Sequence, residues 1–91
     1  MIKVTTEHGT EYLIDFDNSR AKRIPNSSNY MLDDEEWFYF SHVHAVDRKT
    51  KQHFYKEPFL IGKSMWFDIV QSVHYDWKVT TKVVSIEEYE G

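Results

Sequence analysis

Apolar and polar residues alternate with period two along most of the chain, the repeat of a strand with one buried face. Residues 2 to 6, Ile-Lys-Val-Thr-Thr, begin the pattern. It resumes over 10 to 16, with Tyr12, Ile14 and Phe16 on one face and Glu11, Leu13 and Asp15 on the other. Two alternating runs joined by a short loop containing Gly9 predict a hairpin. Asp17, Asn18 and Ser19 predict the next turn, since such side chains hydrogen-bond their own backbone and tolerate unusual dihedrals. A third strand is expected over 20 to 24, ended by Pro25. The first 25 residues therefore read as a three-stranded meander.

The densest apolar stretch lies at 35 to 46, where Trp37, Phe38, Tyr39 and Phe40 run into His42 and His44. Aromatic and β-branched residues in this density suit a pleated sheet better than a helix, so the stretch is expected to be the long central strand. Neighbours on a strand point to opposite sides. Either Trp37 and Tyr39 or Phe38 and Phe40 must then be covered by something other than the core: the polar loop before them, through Tyr30 to Leu32, a second sheet, or another chain. A charged turn over 47 to 52 and a return strand over 53 to 55 complete a hairpin with Arg48, Lys49 and Lys51 at its tip.

Beyond Pro58 and Gly62, residues 65 to 71 alternate again, with Met65, Phe67 and Ile69 opposite Trp66, Asp68 and Val70. Trp66, Ile69, Val70 and Val73 also fall at helical spacing, which leaves one short helix near 62 to 74 as the rival to a strand. Residues 72 to 76 read as a loop. Residues 77 to 86 read as a closing strand bent near its middle, and the last five as an acidic tail. About six strands at close spacing predict a mainly β fold, a small antiparallel barrel or sandwich forming a single domain.

Composition narrows the functions. A chain of 91 residues buries only roughly two-thirds of its unfolded surface, so large side chains must do most of the burying. Aromatics at 16% supply them. A net charge of -4 argues against nucleic acid as a partner, because phosphate binding needs a basic face. The absence of Cys removes disulfides, thiolate metal sites and a cysteine nucleophile. The longest apolar run is broken by Asp68 and is too short for a bilayer, and the alternating start has no signal-peptide core. A cytoplasmic protein without membrane attachment is expected.

Three constellations could carry chemistry. His42 and His44, at i and i+2 on a strand, stand on one face about 6 to 7 Å apart. With His53 from the return strand they would make a metal set, for which His74 and Asp76 are further third ligands. The plainer reading places both histidines in solvent, opposite Val43 and Ala45. Arg20, Arg23, Arg48 and Lys49 are candidates for binding an anion. Trp37, Phe38, Tyr39 and Phe40, widened by Phe54, Tyr55 and Trp66, are candidates for a protein interface, since large surface aromatics are the usual anchors there. The carboxylates from Asp33 to Glu36 read as a solvated loop, no nucleophile motif is present, and a domain this small has little room for a pocket of roughly 300 Å³ or more. No catalytic residue and no cofactor are expected.

Several short segments together resemble a known group. Ile2 to Thr6, Gly9 to Asp15 (Gly-Thr-Glu-Tyr-Leu-Ile-Asp) and Arg23-Ile-Pro25 are similar to the start of small uncharacterised β-rich proteins encoded by phages of actinobacteria. Glu36-Trp37, Gly62-Lys63-Ser64-Met65 and Thr80 to Glu87 (Thr-Thr-Lys-Val-Val-Ser-Ile-Glu) look like that group's later segments. The resemblance spans nearly the whole chain, but its motifs are hairpin patterns, and the hairpin from His42 to Tyr55 is longer than the group's pattern. It implies a phage origin and transfers no catalytic residue. The expectation is a non-catalytic binding protein that engages a host or phage protein, as an inhibitor or in an anti-defence role, or self-associates as a homo-oligomer. The alternatives are an oligomeric sponge for a small nucleotide signal, a virion decoration protein, and a His-based metal-binding protein.

Overall fold

The alternation is realised in seven strands of a computed structural model that describes residues 1–26, 36–70 and 75–90. They are β1 (Ile2–Thr6), β2 (Glu11–Asp15), β3 (Arg20–Ile24), β4 (Trp37–Asp47), β5 (Gln52–Phe54), β6 (Ser64–Val70) and β7 (Tyr75–Glu88). Every pairing is antiparallel. The strand order β3-β2-β1-β7-β6-β4-β5 is joined on itself by a β3–β4 pairing. Strands β1, β2, β3, β4, β6 and β7 thus form a closed ring, and β5 is an added strand beside the end of β4. The expected barrel is present, and among the described residues no helix is long and apolar enough to cross a membrane.

The first three strands form the predicted meander. Gly9 turns the first corner at φ 85°, a conformation that costs a residue without a Cβ little. At the second, Asp15 accepts hydrogen bonds from the Asn18 backbone at 3.3 Å and side chain at 2.8 Å, and Ser19 adopts φ 51°. The two longest strands then tie the halves together. β4 pairs with β3 over Trp37 to Tyr39 and with β6 from Phe40 onward. β7 pairs with β6 in its first half and β1 in its second. Its register shifts where the sequence predicts a bend, and there the Thr80 hydroxyl accepts the Met65 N–H at 2.9 Å.

Phe67 is the hub of the core. It is fully buried, with the rings of Phe38, Phe40 and Tyr12 at 5.1, 5.4 and 6.1 Å. Val4, Ile14, Ala21, Val43, Met65, Ile69 and Val83 complete the cluster. Met65, Phe67 and Ile69 fill the barrel at every second position of β6, so the helical rival at 62 to 74 is overturned over 64 to 70: period-two burial wins over a spacing that merely also fits a helix. The proposed lid at Tyr30 to Leu32 and the candidate ligand His74 lie outside the described residues.

Candidate functional site

A single extra residue decides which way the histidines face. Phe38 and Phe40 point inward, and β4 would by alternation send His42 and His44 inward too. Between Phe40 and His42 the register against β6 shifts: Phe40 pairs with Ile69 but His42 with Asp68, leaving Ser41 as a bulge. A bulge resets the alternation. Val43 and Ala45 take the interior, and His42 and His44 take the outer face beside Asp68 and Trp66, their partners on β6. β5 and β7 bring His53 and Trp77 to the same face.

His44 is nonetheless buried, with 3% of its surface exposed, which corrects the solvent-facing reading for this residue. Tyr55 and Trp66 pack over it, their ring centroids at 4.7 and 6.0 Å. Its Nε2 lies 2.8 Å from His53 Nδ1, and its Nδ1 lies 3.4 Å from His42 Nδ1. Burial pushes the His44 pKa down, and the neighbouring His53 and His42 push the same way against a smaller upward pull from Asp68. These effects favour the neutral imidazole. His42 is exposed, and Asp68, half-buried, accepts the Trp66 indole N–H through Oδ1 at 2.9 Å. His42, His44 and Asp68 each offer a donor atom, all within 4.8 Å of one another.

Beside this cluster runs an aromatic row. Trp66 and Trp77 stack at 5.7 Å with 9° between their planes, and His53 and Tyr55 stack at 5.3 Å with 7°. Tyr55 is 63% and Trp77 57% exposed. Arg48, Lys51, His53, Trp66 and Trp77, with Val46 and Val79, line a groove of about 380 Å³. A second groove, of about 490 Å³, lies at the hairpin tip between Arg48, Lys49, Lys63 and Lys82 and the carboxylates of Glu7 and Asp47. The expectation that so small a chain has little room for a pocket is thus not met, because the added hairpin builds walls on the barrel's outside.

No family model, no curated protein and no solved structure matches this chain.

The sequence-derived candidates divide. Phe40 is buried and Phe38 half-buried against Phe67, so these two serve the core and not a surface. Trp37 finds its cover within the chain: the Arg20 guanidinium lies 4.1 Å and the Lys22 ammonium 4.5 Å from its ring centroid, a cation–π clamp. Another chain is not needed there. Tyr39 is left 53% exposed and Phe54 half-buried. The four anion candidates are not one site. Arg20 pairs with Asp15 at 3.1 Å, Arg23 lines a cleft with Tyr12 and Lys78, and Arg48 and Lys49 share the groove at the hairpin tip with Lys63 and Lys82. The reasoning from sequence missed Asp68 as a neighbour of the histidines and Trp77 as part of the row. The signal for Asp68 was present: a lone carboxylate opposite Met65, Phe67 and Ile69 in an otherwise apolar strand marks the outer face beside a long partner strand.

Proposed function

We propose that this chain is a non-catalytic binding module that engages another protein through the outer face of β4 to β7. The observation that carries the reading is the row from Tyr55 through His53 and Trp66 to Trp77, whose two end rings are more than half exposed. Stiff aromatic rings held by mutual stacking present large contact area at small entropic cost, the property of interface anchors. Arg48 and Lys51 at the rim of the groove favour a partner surface with an apolar anchor flanked by carboxylates. The resemblance to actinobacteriophage proteins makes that partner a host or phage protein met in the host cytoplasm, with inhibition or anti-defence as the role.

The test is cross-linked affinity capture from a host lysate with the wild-type chain and with Tyr55→Ser/Trp77→Ser, beside sedimentation of the purified chain to detect self-association. Both substituted side chains are exposed, so the fold should persist. A protein captured by the wild type and lost from the double variant supports the reading. Identical capture by both overturns it. A second reading, sequestration of a planar anion, is favoured by the stacked tryptophans and the two cations sharing one groove. A thermal shift with nucleotides that is lost in Trp77→Ser would favour it instead.

A further inference from the structure

The contact between the two histidine nitrogens is poorly explained as a hydrogen bond. At 3.4 Å it exceeds the usual range of roughly 2.7 to 3.2 Å for an N–H donor. His44 has a better hydrogen bond on its other nitrogen, 2.8 Å from His53 Nδ1. With the His44 proton on Nε2 and donated to His53, its Nδ1 becomes a bare lone pair turned toward His42 Nδ1. Such a lone pair is met either by a proton on His42 Nδ1, across a long contact, or by a cation held between the two rings. Nitrogens about 2.0 to 2.1 Å from a tetrahedral zinc are themselves about 3.3 Å apart, which is close to the separation found.

We propose that His42 Nδ1, His44 Nδ1 and an Asp68 carboxylate oxygen form a site for a divalent cation of zinc type. One donor atom from each of the three residues lies within 4.8 Å of the others, so closing onto a zinc tetrahedron takes side-chain movement of no more than about 1.5 Å. Two imidazoles and one carboxylate select zinc, cobalt or iron over magnesium or calcium. His53 is not a ligand in this arrangement. It fixes the tautomer and plane of His44, as Trp66 fixes the Asp68 carboxylate through its 2.9 Å hydrogen bond. Supporting contacts of this kind orient the ligands of metal sites. Three protein ligands leave a fourth position for water or for a donor group supplied from outside. The site shares a face with the aromatic row but does not depend on partner binding, since neither Tyr55 nor Trp77 is a ligand.

The experiment uses the full chain without a histidine tag, stripped with a chelator and titrated with cobalt, followed by visible absorption and by zinc competition. One equivalent should bind with the intense visible bands of four-coordinate cobalt. His42→Ala and Asp68→Asn should abolish that binding. His53→Gln should keep the stoichiometry and lower the affinity roughly 10- to 100-fold. His42 is exposed and Asn at 68 can still accept from Trp66, so both ligand variants should fold, which apo-protein thermal unfolding checks. The absence of one-to-one binding at micromolar metal overturns the proposal, and leaves a hydrogen-bonded histidine chain only. So does binding that His42→Ala and Asp68→Asn leave unchanged.

Discussion

Asp47 shows how much one side chain can organise. Its Oδ1 accepts the backbone N–H groups of Lys49 at 2.9 Å and Thr50 at 3.1 Å, while Oδ2 pairs with Lys63 at 3.0 Å. Those bonds, led by the one from Thr50, pull its pKa down to about 2. Each favours the carboxylate, so the turn is supported only while Asp47 is ionised. The contribution is full above the unfolded carboxyl value of about 3.9 and is lost as the pH falls through the folded value. The wild type should therefore melt above Asp47→Ala near neutral pH, with the gap narrowing as the pH is lowered from 5 toward 2. A gap that stays constant across that range would show that the carboxylate charge is not what holds the turn.

At the scale of the element, β4 carries the architecture through Ser41. Deleting Ser41 would make Phe40 and His42 ordinary neighbours opposite Ile69 and Asp68, keeping Phe40, Val43 and Ala45 in the barrel and His42 and His44 outside. Ser41→Ala keeps the extra residue and should stay within about 0.5 kcal/mol of the wild type. Chemical denaturation checks both variants: each should stay close to the wild type, and a large loss on deletion alone would show that the barrel needs the extra twist that the bulge supplies. This slip in phase was written in the sequence, since apolar Phe38 and Phe40 are followed by apolar Val43 and Ala45. It is hidden by the aromatics, because Trp37 and Tyr39 make both faces look apolar. The strands themselves were legible wherever one face is polar, as in β1 to β3 and β6. The site was not, because it needs the cross-strand register that sets Asp68 beside His42, and pairing is a property of two strands together. The burial of His44 was likewise invisible, depending as it does on rings brought in by β5 and β6.

For the whole molecule, the arrangement divides labour between the two sides of one sheet. The interior holds the Phe67 cluster, while the outer side of β4 to β7 holds the histidines and the aromatic row. Substitutions on that outer face can therefore change its surface chemistry without emptying the core. The ring is also uneven. β4 and β6 share six paired positions, as do β6 and β7, but β3 and β4 share only three, Arg20 with Tyr39, Ala21 with Phe38 and Lys22 with Trp37. Amide protection against hydrogen exchange reports local opening, so the amides along that seam should exchange ahead of those in β6, and equal protection would contradict it. An opened seam leaves two strand edges exposed with complementary sequences. At high concentration the β3 edge of one molecule would find the β4 edge of another, and the two chains would close each other's barrels. The Arg20 and Lys22 clamp on Trp37 is then a latch as well as a cover, and weakening it should raise the yield of such exchanged dimers.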